Sequence, residues 1–134
     1  LEGEGGIGKT RLIEEFRRSV GSEAGFGIGY CLEYVRAPYL PFSEIFGQIG
    51  LQWPATPAVN GRDATAEDKL AHFSSIAAAL QKYAGRRPLI LVIEDVQWAD
   101  DATIDLVQHL CHSVRNARIQ LLLTCRSDAL QCRT

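Results

Sequence analysis

Methionine is absent from the 134 residues, and the chain opens with Leu1 directly in front of a functional motif, so the sequence reads as a piece of a longer protein. Long hydrophobic runs are also missing. The longest, such as Leu89 to Ile93, are about five residues, whereas a membrane-spanning helix needs roughly 20, so no segment is expected to span a bilayer. No basic stretch leads into an apolar region near the N-terminus, and no signal peptide is visible. There is no block of basic charge either. Fourteen Lys and Arg against sixteen Asp and Glu give a formal charge of −2, which disfavours direct binding to a nucleic-acid backbone. The four cysteines, Cys31, Cys111, Cys125 and Cys132, form no C-x-x-C pair; with a reducing cytosol as the default compartment they read as small core residues or free thiols of a cytoplasmic protein rather than as a metal site.

What is present is ordinary globular material. Hydrophobic residues make up 46% and charged residues 22%, which excludes disordered, collagenous and coiled-coil classes, and the length suits one domain. Apolar residues at helical spacing, Leu12, Ile13, Phe16 and Val20, run to Gly21 and predict a helix. Phe26 to Tyr34 reads as a short strand weakened by two glycines. Phe42, Ile45, Phe46 and Ile49 share a helical face behind Pro41. Residues 52–64 have the turn-rich composition of a mobile surface loop, with Trp53 as an exposed contact. Thr65 and Asp68 form a capping-box pattern, and Leu70, Phe73, Ala77, Leu80 and Ala84 then share a face up to Gly85. Leu89 to Ile93 is the pattern of a strand buried on both faces and ends in Glu94-Asp95. Asp100 or Asp101 can cap a helix carrying Ile104, Val107, Leu110, Cys111 and Val114 inward, and a final strand runs from Ile119 to Cys125. Strands alternating with helices require crossover connections, hence an α/β fold with a parallel sheet and helices on both faces.

Three features carry chemistry. Gly3-Glu4-Gly5-Gly6-Ile7-Gly8-Lys9-Thr10 matches G-x-x-x-x-G-K-[ST] in full and opens a helix, as a phosphate-binding loop must. Glycines let successive N–H groups turn towards phosphate oxygens, and the helix N-terminus adds partial positive charge. Lys9 would reach the β and γ phosphates and the Thr10 hydroxyl would ligate Mg²⁺; the candidate nucleotide contacts run from Gly3 to Arg11. Glu94 and Asp95 end a strand at the edge where open α/β folds bind ligands, so one acid can hold Mg²⁺ while the other activates a water. Arg126 ends the next strand and is placed to contact a γ-phosphate; the bland alternative is a surface pair with Asp128.

At these residues a family resemblance enters. Glu2 to Thr10, Val92-Ile93-Glu94-Asp95-Val96-Gln97-Trp98-Ala99-Asp100, Leu123-Thr124-Cys125-Arg126 and the stretch Tyr30 to Phe42 resemble AAA-type P-loop ATPase modules of the STAND class. Those modules are fused in bacteria to adenylate cyclase or helix-turn-helix regulators. The resemblance implies ATP and Mg²⁺ as ligands, Glu94 as the metal-binding acid, Asp95 as the water-activating one and a nucleotide-driven conformational switch. It also implies covalently linked output domains (cyclase, helix-turn-helix or helical repeats) and a homo-oligomer as an option. Two departures stand out: the family usually has Asp where this chain has the longer Glu94, and Cys125 replaces a more usual aromatic. The family pattern further implies that an apolar strand running into Leu1-Glu2 and a C-terminal lid are missing, which would leave the Arg126 strand with an unpaired edge.

Rival readings have less behind them. A GTPase would need N-K-x-D, and Asn60-Gly61-Arg62-Asp63 lacks the Lys; a small-molecule kinase shares the P-loop but gives no reason for Trp98-Ala99-Asp100 after the acid pair. A nucleotide-gated binding module with negligible hydrolysis is the serious alternative. His109 and His112 lack a third ligand and read as a solvated pair, Trp98 reads as packing, and Arg86-Arg87 as solvent-facing.

Overall fold

Six consecutive residues from Leu89 to Glu94 are all buried, as expected of a strand covered on both faces, and the fold is assembled around them. The structure is a computed structural model and describes residues 2–3, 7–35, 37–55 and 65–126, with the backbone alone for residues 2, 3 and 7. In chain order the elements are β1 (Glu2–Gly3), α1 (Ile7–Val20), β2 (Gly25–Tyr30), α2 (Leu40–Gln48) and α3 (Ala66–Arg86). They continue with β3 (Leu89–Glu94), a 3₁₀ turn (Val96–Trp98), α4 (Asp101–Ser113), β4 (Ile119–Leu123) and β5 (Cys125–Arg126). Strands β2, β3 and β4 lie side by side in that order, all parallel, and β1 pairs in parallel with β5. This is the α/β P-loop NTPase-type fold expected from the sequence, in truncated form.

The expectation of an unpaired edge at Arg126 needs correction. Glu2–Gly3 already forms a short strand, and Gly3 stands in register with Arg126, so the Arg126 segment has a partner. The open edge lies further back: among the described residues β4 has no strand on its outer side from Ile119 to Leu123.

Alternation along β3 divides the interior. Leu89, Leu91 and Ile93 face a large core built with α2, α3 and α4, including Phe42, Phe46, Ile76, Leu80 and Leu106; Ile90 and Val92 face a smaller cluster with Ile13 of α1 and Ile28 of β2. The glycines of β2 permit close packing on the large-core side. A Cβ on Gly27 would lie 2.6 Å from Ile45 Cγ2, and one on Gly29 2.3 Å from the Pro41 carbonyl oxygen, so α2 could not approach a strand of ordinary residues. The outer edge of β2 is closed by a side chain. Gln48 Oε1 accepts from Ile28 N–H at 2.8 Å and its Nε2 donates to the Ile28 carbonyl at 2.7 Å, imitating a neighbouring strand.

Helix ends follow local chemistry. Thr65 and Asp68 make both halves of the capping box, and Asp100, rather than Asp101, caps α4 by accepting from Thr103 N–H. Gly21, at φ 58°, ends α1 in the left-handed region. Gly85 does not stop α3, which continues to Arg86. Three residues placed on apolar helical stripes are exposed: Leu12, Leu70 at 56%, and Cys111; α4 buries Thr103 and Leu106 as well. Trp53, expected as an exposed contact, is half-buried against Phe46, Tyr39 and His72. The remainder of its loop, residues 56–64, lies outside the described residues together with Asn60 to Asp63, and Cys132 and Asp128 lie outside them too.

Candidate functional site

Parallel strands end together, so the C-terminal ends of β2, β3 and β4 bring residues distant in sequence to one edge. Glu94 closes β3 and pairs in register with Tyr30, the last residue of β2. Both belong to the face that carries Ile28, Ile90 and Val92, which is the face covered by α1. The Tyr30 hydroxyl and the Glu94 carboxylate are close enough to influence each other's charge. Glu94 is 7% exposed. Burial pushes its carboxyl above the ordinary value; the Tyr30 hydroxyl and the charge of Lys9 pull it back, while Asp95 and Glu14 push it up. The Tyr30 phenol is raised as well, by burial first and then by the adjacent Glu94 charge.

Asp95 leaves the strand in the left-handed region at φ 60° and ψ 48°, a conformation costing a non-glycine residue roughly 1 kcal/mol, though Asp tolerates it better than most. Its N–H donates to Thr124 Oγ1 at 3.0 Å, the next N–H, of Val96, donates to the Thr124 carbonyl at 2.9 Å, and Trp98 N–H closes the turn on the Asp95 carbonyl at 2.9 Å. The chain can therefore turn sharply after two adjacent acids without leaving their backbone donors unpaired.

The phosphate-loop motif meets this edge through β5. Gly3 is paired with Arg126, and Lys9 Nζ donates to the Cys125 carbonyl at 2.8 Å, 116 residues away. Ile7 begins α1, Gly8 and Thr10 are exposed in its first turns, and Arg11 pairs with Glu15 at 3.5 Å on the solvent side. Glu4, Gly5 and Gly6 lie outside the described residues. The Arg126 N–H is 3.3 Å from Gln97 Oε1; Gln97 is buried, and its Nε2 has no partner among the described residues. Trp98 is half-buried and lines a narrow cleft with Tyr30, Pro41 and Asp100. Away from the edge, His109 bonds Ser113 Oγ at 3.0 Å and packs on Phe73, and the Arg87 guanidinium donates to the Ser22 carbonyl.

Lys9, Glu94, Asp95 and the Thr124 to Arg126 segment are thus assembled at one edge beside the start of α1. A cationic amine, a helix N-terminus and two carboxylates form the donor set suited to a phosphate-bearing ligand with a hard cation. Tyr30, Gln97 and Thr124 went unassigned by sequence reasoning. Each stands within a stretch that resembles the family, but periodicity assigns no role to a polar residue whose partner is on another strand.

Among the described residues no helix is long and apolar enough to cross a membrane. A search of curated protein sequences finds no match. A family model described as an AAA ATPase domain matches residues 1–123, which include the phosphate-loop motif, the acid pair and all but the last residues of the β4–β5 segment. With that match over a parallel sheet whose C-terminal edge gathers Lys9, Glu94 and Asp95, the chain belongs to the AAA ATPase domain family of nucleotide-binding modules.

Proposed function

We propose that this chain is the ATP·Mg²⁺-binding module of a cytoplasmic signalling ATPase of the STAND type, acting as a nucleotide-dependent conformational switch for output domains on the same polypeptide. The observation that carries the reading is the contact between Lys9 Nζ and the Cys125 carbonyl at 2.8 Å, because it joins the phosphate-loop lysine to the strand edge that bears the acids. In this reading the backbone N–H groups from Gly3 to Thr10, with Arg11 following, hold the phosphates at the start of α1. Lys9 exchanges its carbonyl partner for β and γ phosphate oxygens, an exchange of one hydrogen-bond acceptor for a charged one. Thr10 and Glu94 would hold the metal, Asp95 would accept the proton of the attacking water, and Arg126 would offer its guanidinium to the charge developing on the phosphoryl oxygens. ATP with Mg²⁺ would supply an electrophilic phosphorus and a cation that offsets that charge.

The decisive experiment titrates the chain and its Lys9→Ala variant with fluorescent ATP in Mg²⁺, with circular dichroism showing that both are folded. Affinity lost by at least about tenfold in the variant is expected. Equal affinity in the two proteins would overturn the site. Lys9-dependent binding without turnover would favour the nucleotide-gated binding module over the ATPase.

A further inference from the structure

Thr124 ties the start of the acid turn, at Asp95 and Val96, to the end of β4. It is 1% exposed. Its N–H donates to the Ile93 carbonyl at 2.9 Å, which seats it beside the end of β3. From there it accepts two consecutive donors of the turn, Asp95 N–H on its hydroxyl and Val96 N–H on its carbonyl. The three bonds differ in kind. Two use the main chain and would survive any substitution, whereas the bond to Asp95 depends on the side chain. Asp95 is also the residue held at a positive φ. Without an acceptor for its N–H, the peptide preceding Asp95 is free to rotate towards an ordinary negative φ, and the carboxylate would swing with it.

We infer that Thr124 is a positioning residue for the candidate water-activating carboxylate, its hydroxyl holding Asp95 in the left-handed turn so that the acid is pre-set for an attacking water. The inference rests on the function proposed above. It adds that the aim of Asp95 is set from the neighbouring strand, 29 residues on, rather than by the acid's own strand. Because the following residues, Cys125 and Arg126, carry the contacts to Lys9 and Gln97, any shift of this segment on nucleotide binding would reach Asp95 through the same short stretch.

The test compares Thr124→Val, which keeps the shape and removes the hydroxyl, with Thr124→Ser, which keeps the hydroxyl. Amide hydrogen exchange read by NMR is the first readout. In Thr124→Val the Asp95 amide should exchange about tenfold faster, while the Val96 amide, bonded to a main-chain carbonyl, keeps its rate; Thr124→Ser should resemble the unmodified chain at both. General loosening would accelerate both amides together and would overturn the inference. The second readout is single-turnover hydrolysis beside ATP affinity. Turnover should fall by about tenfold or more in Thr124→Val, with affinity within about threefold, and Thr124→Ser should restore it. Unchanged turnover in Thr124→Val, or turnover and affinity lost together, overturns the positioning role while leaving the nucleotide site standing. An unmodified chain that binds ATP through Lys9 but does not hydrolyse it overturns the role too. Absence of Lys9-dependent binding overturns the function itself, and with it the inference.

Discussion

The two faces of the sheet are unequally covered. On one side α2, α3 and α4 pack on β3 in a core of sixteen buried residues among those described; on the other, α1 contributes to a cluster of five. That thin side also has an opening. A groove of about 260 Å³ lined by Leu12, Ile13, Phe16, Gln120 and Leu122 runs between α1 and the outer edge of β4. Yet α1 is the helix that carries Lys9, and Glu94 with Tyr30 faces the same side. Stability is concentrated behind the acids, while the element bearing the phosphate-loop lysine is lightly held. Regions with few buried apolar contacts open at lower free energy, so a ligand bridging the two faces would act chiefly on α1.

The sharpest way to break this comparison is a pair of truncations. Phe46→Ala, in the thick core and fully buried, is expected to cost about 3–5 kcal/mol in urea unfolding. Ile13→Ala, beside the open groove, should cost less, about 2 kcal/mol, and equal losses would mean that α1 is as firmly held as the rest. Asp95→Asn tests the rigid side functionally. Asn also tolerates a positive φ, so the turn should persist and ATP affinity with it, while turnover falls by about a hundredfold; an unchanged rate would remove Asp95 from catalysis. On the thin side, Tyr30→Phe deletes the hydroxyl that helps hold the Glu94 carboxyl in its charged form. The Mg²⁺ concentration needed for half-maximal ATP binding should shift by about threefold to tenfold, with binding in EDTA unaltered. No shift would show that Glu94 does not need that hydroxyl to serve the metal.

The smallest effect concerns Glu44 on α2, whose carboxyl is raised above its ordinary value by burial. A folded pKa above the unfolded one means that the contribution to stability is complete below the unfolded value and is lost as the pH rises through the folded value. Glu44→Gln should therefore raise the thermal midpoint by about a degree at pH 7 and leave it unchanged at pH 4. A gain of the same size at both pH values would assign the effect to packing instead.

The elements read well from the sequence where their cause is local. Thr65 and Asp68 lie on one turn and cap each other, Gly21 adopts the backbone that ends α1, and the uninterrupted run from Leu89 needs both faces covered. Reading failed where neighbours decide. Helical spacing placed Leu70 and Cys111 inward, but both are exposed, because spacing marks an apolar stripe without fixing how much of it a neighbour covers. Trp53 looked like surface because its neighbours are turn residues; it is drawn in by Phe46, Tyr39 and His72. The glycines of β2 looked like weak strand, and their use became visible only with α2 lying against them.

The candidate site divides in the same way. A phosphate-loop motif opening a helix and a buried strand ending in two acids are legible in the residues alone, because spacing along one segment is enough to specify a nest and a strand end. It took the assembled sheet to show that Lys9 meets Cys125, that Tyr30 stands in register with Glu94 and that Thr124 accepts from Asp95. Those contacts depend on strand order and register, which are set by how the helices cover the two faces of the sheet, and no single segment contains that information.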